Sequence, residues 1–333
     1  MKKCFSEIKW INVLVSLCKI LITTFLVVSL AVLIAGDFKK LKQRFDRYQK
    51  ETQAFDSQKR LEMKANMKSL NQALPQSFDH LIAVSEGKVK PDKKKLRDYQ
   101  KYYELVVELV DGPPDAYGLL GFIYYQQGEK EKADKAYKQA ILGKPEFFWY
   151  YYNLGVIHYE QKNFAEAARY LGIATNKDIG SVFKGVLSSK IYAQIMSGEG
   201  FKQEKLLFNY WDSLKNAYKL LIEAFVRVDD YSQVFDIAIK AINANFDTDG
   251  YFSYYGGVAA FKSKKYSVAV TLFQEAIQKN PDYPDAYYFL GMTMEALGFN
   301  DQSQVFFRKA AVLKNTLAPK EYFDAPEVHV RIF

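Results

Sequence analysis

Residues 114–147 read PDAYGLLGFIYYQQGEKEKADKAYKQAILGKPEF, and the same spacing of small and large side chains returns along the chain. In this stretch Gly121 is followed twelve residues later by Ala133, and Tyr137, Ala140 and Pro145 come next. The pattern recurs, with losses, at three further places, which are residues 148–181, 250–283 and 284–317. A 34-residue period indicates a chain built from stacked units rather than one irregular core.

The small residues have a physical reason to stand at fixed places. Gly121 and Ala133 mark the points at which two helices of one hairpin cross, where only a small side chain allows close approach. In the last copy Ser303 replaces the alanine, which keeps the side chain small. A single hairpin leaves an apolar face uncovered, so neighbouring hairpins must stack to bury it.

The spacing closely resembles that of the tetratricopeptide repeat (TPR), a helix hairpin that stacks into a solenoid. The resemblance implies an all-α fold in which a right-handed α-solenoid of about six hairpins spans residues 114–317. Two diverged units would lie within residues 182–249, with helices at Phe201–Leu214 and Ala217–Val228. A basic hinge and a capping helix, Leu96–Val110, would occupy residues 85–113.

In this family the first helix of each hairpin lines a groove that binds other proteins. The groove residues come mainly from the second, fifth, ninth, twelfth and thirteenth positions of a repeat. The resemblance therefore implies a groove lined by rings that binds an apolar or aromatic helix or peptide, or else holds the chain's own C-terminus. The predicted groove residues are Phe122, Tyr125, Trp149, Tyr152, Tyr159, Tyr251, Tyr254, Phe261, Tyr288 and Met292.

Residues 20–36 read ILITTFLVVSLAVLIAG and contain no charged side chain. A helix of roughly this length spans the hydrocarbon layer of a bilayer. We therefore predict that residues 1–36 form a membrane anchor with a transmembrane core at 20–36. A cleaved signal peptide is the alternative, because Lys2, Lys3 and Lys9 form a basic N-terminal region; the length of the apolar run favours an uncleaved anchor.

Basic side chains follow the apolar run, and we predict that they face lipid headgroups; they are Lys39, Lys40, Lys42, Arg44 and Arg47. This flank favours a cytoplasmic body, whereas a long following domain can be exported regardless of charge. The chain after Cys18 lacks cysteine, which suits an oxidising compartment. We predict a single-pass protein of the bacterial inner membrane with its body in the periplasm, with a cytoplasmic body as the alternative.

Residues 37–84 form a predicted juxtamembrane helical stalk. Phe38, Leu41, Phe45 and Tyr48 follow a 3-4 spacing, which indicates either a short dimerising stalk or a helix that packs its apolar stripe on its own body. At the other end, residues 318–333 form a tail in which Val328, Val330 and Ile332 alternate with polar residues, as in a strand. The tail either adds to a partner's sheet or covers the last hairpin.

Composition and motifs exclude several function classes. Residues 1–101 hold 21 Lys/Arg against 10 Asp/Glu, and the rest of the chain is nearly balanced, so the net charge of +8 does not indicate a nucleic-acid-binding body. No phosphate-binding loop, metalloprotease motif or nucleophile elbow occurs. We predict no enzyme activity, no cofactor and no metal.

These features together predict an interaction scaffold or assembly subunit of a membrane or envelope complex, such as secretion, motility or wall-assembly machinery. One alternative is a cytoplasm-facing adaptor that recruits clients or regulators to the membrane. The other is a structural homo-oligomer, in which the stalk and groove satisfy copies of the same chain.

Overall fold

The computed structural model of the chain describes residues 47, 77–109, 113–187, 203–316, 326 and 328–332. Within these ranges no helix is long and apolar enough to cross a membrane. The predicted anchor and most of the predicted stalk lie outside them, as do Lys39, Lys40, Lys42 and Arg44, while residues 77–84 of the stalk are helical as predicted. Arg47, which is described, is helical and exposed.

The described residues form thirteen helices and no strand, which confirms the prediction of an all-helical solenoid. The helices are α1 (residues 77–85), α2 (Lys93–Leu109), α3 (Pro114–Gln126), α4 (Lys130–Gly143), α5 (Phe148–Glu160), α6 (Phe164–Thr175), α7 (Ile179–Leu187), α8 (Gln203–Arg227), α9 (Tyr231–Asn243), α10 (Tyr251–Lys262), α11 (Tyr266–Lys279), α12 (Pro284–Ala296) and α13 (Asn300–Thr316).

Within the described residues five helix hairpins stack in sequence, where about six were predicted, and each packs mainly on its neighbours as repeat proteins do. They are α3–α4, α5–α6, α8–α9, α10–α11 and α12–α13. Helix α6 packs directly against α8, so α8 takes the place of the next first helix. Helix α2 packs on α3 at the start of the stack, where a capping helix is predicted.

The glycines of the repeat lie where the two helices of a hairpin cross. A Cβ atom added to Gly155 would stand 2.5 Å from Cγ of Leu171, and one added to Gly257 would stand 2.7 Å from Cε1 of Phe273. Real Cβ atoms do not approach so closely, so a larger residue would push the second helix away. This contact is the physical source of the glycine in the sequence period.

The turns inside the hairpins keep the same period in the backbone. Gly128, Lys162, Lys264 and Gly298 all adopt left-handed conformations, with φ of 82°, 60°, 57° and 87°. Asp229, at the α8–α9 turn, is also left-handed, with φ of 56°. Two 34-residue periods after Lys162 lead to residue 230, so this turn comes one residue early. The diverged unit is therefore shifted by one residue, which helps to explain its weak match to the repeat.

Helix α8 runs without interruption from Gln203 to Arg227, so the break predicted between Leu214 and Ala217 does not occur. The physical reason is local, because the segment holds neither glycine nor proline. Its apolar residues also keep a spacing of three or four, and Leu206, Tyr210, Leu214, Ala217 and Leu221 are all buried.

Candidate functional site

The C-terminal residues Val328–Ile332 lie against helices from the beginning of the solenoid. Val330 is fully buried and Ile332 is 5% exposed, and both belong to the main apolar core. The side chains that hold this segment come from α1, α5 and α8, and we call them the tail site: Ser85, Asn153, Asp212 and Ser213.

Asn153 holds the backbone of the tail through both ends of its side-chain amide. The N–H of Arg331 donates to Asn153 Oδ1 at 2.8 Å, and Asn153 Nδ2 donates to the carbonyl oxygen of Arg331 at 2.6 Å. One amide reaches both groups of a residue only when they point to the same side, as in extended backbone. The contact therefore recognises an extended chain independently of its side chains.

Two further contacts fix the direction of the segment. The N–H of Ile332 donates to Ser85 Oγ at 3.1 Å, which anchors the tail to α1. The guanidinium of Arg331 lies 2.8 Å from Asp212 Oδ2, and its Nη1 is 3.5 Å from Ser213 Oγ. The tail thus combines backbone pairing, two buried apolar side chains and one ion pair.

The structure corrects one of the two predictions for the tail. Residues 328–332 contact α1, α5 and α8, so this part of the tail does not cover the last hairpin. The segment is also not a strand, although its burial alternates as in one. Side chains satisfy its backbone in place of a neighbouring strand. The alternative in which the groove holds the chain's own C-terminus agrees with these contacts.

Asn153 is the residue that the sequence reasoning missed. It stands at the sixth position of its repeat, directly after the predicted groove residue Tyr152, and it is almost fully buried. Its helix reads FWYYYNLGVIHYE, so an amide interrupts a run of rings. Buried amides are nearly always hydrogen-bonded, and that interruption was the available signal.

A cavity of about 840 Å³ adjoins the tail. It lies between the loop that follows α1, the end of α3 and the tail itself. Its lining includes residues 84–91, Tyr125, Gln126, Asn209 and residues 329–331. The tail therefore occupies only part of the space on this face.

Five of the predicted groove residues are buried, namely Phe122, Trp149, Tyr152, Tyr251 and Tyr254. Two of them support the tail site from beneath. Trp149 Nε1 donates to Ser213 Oγ at 3.3 Å, and the hydroxyl of Tyr152 accepts from Asn216 Nδ2 at 2.7 Å. Their side chains therefore pack and orient α8 against α5.

The other five predicted groove residues retain contact with solvent. Tyr125, Tyr159, Phe261 and Met292 are half-buried, and Tyr288 is exposed. The Tyr125 hydroxyl donates to Glu160 Oε1 at 2.7 Å. A partner could reach these five side chains without unfolding the solenoid, and the assignment of the ten residues to partner binding stays a prediction.

Two tyrosine hydroxyls donate hydrogen bonds to one carboxylate farther along the same set of helices. Tyr251 and Tyr255 both donate to Glu223 Oε1, at 3.3 and 3.1 Å. Burial, together with the charge of Glu223, raises the pKa of both tyrosines above its usual value. Both hydroxyls therefore stay protonated donors at neutral pH, and both of their hydrogen bonds go to one oxygen of Glu223.

Among the described residues, no group of three or more His, Cys, Asp or Glu side chains could hold a metal ion. His158 stacks on Tyr170 at 5.4 Å and lies 3.2 Å from Asp134. His158 therefore packs between α4 and α6. The absence of catalysis, cofactor and metal stays a prediction.

Comparison with known proteins agrees with the geometry of the hairpins. Residues 114–162 and 257–298 match a family model described as the TPR repeat. The chain carries TPR repeats. The match covers the first clear copy of the TPR pattern entirely and the other three in part, and it leaves the segment around α7 and α8 unmatched.

Solved structures with similar folds include TPR proteins. YrrB, a TPR protein with an unusual peptide-binding site, is 14% identical over 64% of this chain and 92% of its own, with a TM-score of 0.47. A MamA structure is 18% identical over 59% and 95%, with a TM-score of 0.43. PilF of Pseudomonas aeruginosa is 14% identical over 73% and 94%, also at 0.43. No curated protein sequence matches the chain.

Proposed function

We propose that this chain is a non-enzymatic interaction scaffold that binds extended peptide segments of other proteins on the face of its first helices. The observation that carries the proposal is the seating of Arg331 on Asn153. A site that already holds one extended segment by its backbone can hold another of the same geometry. The TPR repeats supply the rigid face on which the site is built.

The strength of the tail contacts sets the expected affinity. Two buried aliphatic side chains contribute about 1.5–3 kcal/mol each, and each hydrogen bond contributes about 1 kcal/mol. Association of separate molecules costs at least about 4 kcal/mol. A short segment alone therefore binds weakly, and a partner needs further contacts, which the solvent-facing rings Tyr125 and Tyr159 can supply.

We further propose that the scaffold serves a membrane or envelope complex from the periplasmic side. The apolar run at residues 20–36 supports attachment to a membrane, and the cysteine-free body supports export, whereas the basic residues after the run favour the cytoplasmic alternative. In such an arrangement the anchor fixes the solenoid near its partners and raises their local concentration.

Site-specific photocrosslinking in cells tests the binding proposal. A photoreactive amino acid at Tyr159 should form a crosslinked adduct with a discrete partner, and the adduct should weaken when Asn153→Leu removes the backbone contact. The matched position is Phe208, which is 74% exposed on α8 and lies outside the predicted groove set. Equal crosslinking from both positions would contradict a groove-based function.

Labelling of an introduced cysteine tests the placement. Gly128 is exposed in the α3–α4 turn and its Cβ position is open, although its φ of 82° strains any side chain there. Cys4 and Cys18 are first replaced by serine. Gly128→Cys should then react with a membrane-impermeant maleimide once the outer membrane is made permeable. Labelling only after lysis of the inner membrane would favour the cytoplasmic adaptor.

A further inference from the structure

We propose that the partner segment for the tail site is an extended apolar–cationic–apolar tripeptide, and that Val330-Arg331-Ile332 of the chain itself closes the site until such a segment displaces it. The inference rests on the proposed function, because it specifies which peptides the scaffold accepts. Nothing in the TPR spacing predicts this preference, since the spacing sets the helices and not the ligand.

The two apolar positions follow from the burial of the tail. Val330 is fully buried and Ile332 nearly so, whereas Val328, two residues earlier, is 36% exposed. Side chains at i and i+2 of an extended segment point to the same side. The site therefore accepts two aliphatic side chains with one residue between them. It does not require a third aliphatic side chain at the position of Val328.

The cationic position follows from Asp212. The side chain of Arg331 is only 13% exposed, and its guanidinium lies 2.8 Å from the Asp212 carboxylate, which is 63% exposed. An acidic residue in place of Arg331 would bring two like charges together on a partly dehydrated surface. A lysine can replace the arginine as a point charge, but it loses the geometry of the guanidinium.

The position of the tail in the chain makes it a built-in competitor. Helix α13 ends at Thr316 and the seated segment begins at Val328, so residues 317–327 connect the two. Eleven residues span at most about 40 Å, and a tether of this length gives its end an effective concentration of about millimolar. A foreign segment must bind tightly enough to displace a tail at this effective concentration, so weakly binding ligands are excluded.

The adjoining cavity offers a route for exchange. It is lined by Lys88, Lys90, Tyr125 and Gln126, and also by residues 329–331 of the tail. An incoming segment can therefore contact the walls of the site while the tail is still bound. Exchange then does not require the tail to leave first into solvent.

A random peptide library selected on the full-length protein in mild detergent tests the specificity. The selected protein carries Val330→Asp with Ile332→Asp, which unseats the tail. Arg331→Glu serves as a second way to unseat it. We expect enriched peptides to carry an aliphatic residue, Lys or Arg, and an aliphatic residue in succession. Enrichment of a different motif overturns the inference and leaves the proposed function standing, and no enrichment at all contradicts the proposed function.

A labelled synthetic peptide, residues 326–333, tests the competition. It should bind the unseated variant at least tenfold more tightly than the native protein. Val328→Asp is the matched control, because it changes an exposed tail residue and should bind the peptide as the native protein does. If the peptide binds the native protein, the unseated variant and Val328→Asp with equal affinity, the proposal that the tail competes for the site is overturned.

Charge reversal tests the cationic position in the same assay. The peptide carrying Arg331→Glu should lose at least tenfold in affinity for the unseated protein, and Asp212→Lys in the protein should restore much of that loss. If Asp212→Lys does not restore binding of this peptide, Asp212 does not select the cationic position. A concentration-dependent native dimer that Val330→Asp with Ile332→Asp abolishes would show that the tail binds a second copy, and would overturn intramolecular closure.

Discussion

The second repeat and the two last repeats share one architecture, and among their many sequence differences the one at the sixth position bears on what each repeat can bind. Their glycines meet a large residue of the second helix in the same way, at Gly155, Gly257 and Gly291. At the sixth position, however, the second repeat has Asn153, whereas the later ones have Tyr255 and Phe289. The repeat fixes the scaffold, and this one position decides whether the surface can recognise a backbone.

In the later repeats the sixth position is filled by ring packing. Phe289 lies 5.9 Å from Phe273 and 6.0 Å from Tyr254, and Tyr255 lies 4.7 Å from Tyr251. Such pairs contribute beyond the area they bury and hold the rings in place. The later half therefore offers an apolar surface, whereas the earlier half offers an apolar surface with a backbone acceptor and donor built into it.

The largest expected effect comes from removing one core ring from each half. Trp149→Ala and Phe273→Ala should each lower the free energy of unfolding by about 3–5 kcal/mol, because both side chains are fully buried. Only Trp149→Ala should also speed amide hydrogen exchange at Arg331, since Trp149 bonds to Ser213 beneath the tail. Chemical denaturation and hydrogen exchange measure the two effects.

The exposed ring Phe208 provides the control for this comparison. Phe208→Ala on α8 should change stability by less than about 0.5 kcal/mol. If Phe273→Ala sped hydrogen exchange at Arg331 as much as Trp149→Ala did, tail docking would depend on the later repeats as well as on the second repeat.

The next effect isolates the sixth position. Asn153→Leu removes two hydrogen bonds and leaves two backbone groups of Arg331 without that partner, so tail docking should weaken by about 2–3 kcal/mol. Tyr255→Leu, at the same position of a later repeat, should leave docking unchanged. Hydrogen exchange at Arg331 reports docking directly, and equal protection in both variants would show that apolar burial alone seats the tail.

Alkaline pH probes the ring packing of the later half. Burial raises the pKa of Tyr254 to about 12, whereas an unfolded tyrosine ionises near pH 10. Above pH 10 the unfolded state therefore loses its proton first, and stability falls until about pH 12. Tyr254→Phe should remove about 3 kcal/mol of this pH-dependent loss, because each pKa unit corresponds to about 1.4 kcal/mol. Burial also raises the pKa of Tyr210, in the earlier half, to about 12, so Tyr210→Phe should change the same pH window.

The smallest effect concerns the ion pair of the tail. Arg331→Gln should weaken docking by about 0.2–1 kcal/mol, because Asp212 is largely exposed to water. The difference between the native protein and the variant should shrink as salt is raised. A loss that salt does not reduce would mean that the arginine acts through packing instead of charge.

The sequence predicts the hairpins well, because their packing is local and periodic. The glycine at each crossing and the length of each hairpin follow from close approach of two helices a few residues apart. The unbroken α8 was missed because this segment was divided to fit the repeat pattern. The absence of glycine and proline from residues 203–227 is the simpler signal of one continuous helix. The alternation of the tail marked Val330 and Ile332, which are buried, but also Val328, which is exposed, and it did not indicate what these side chains pack against.

The tail site lies beyond such reasoning for a physical reason. Asn153 and Arg331 are 178 residues apart, and no period links them. Groove positions transferred from the family skip the sixth residue of the repeat, so Asn153 was passed over. Trp149 and Tyr152 were placed in the groove because the long helix that buries them, α8, had not been recognised.

The hydrogen bond from Ile332 to Ser85 joins residues that lie 247 positions apart. A stack of repeats can form from its beginning while later residues are still being synthesised, because each hairpin needs only its neighbours. The closing segment leaves the ribosome after every helix it will touch. A newly made chain thus passes through a period in which its recognition face is complete and unoccupied, and a partner present at that moment binds without competition.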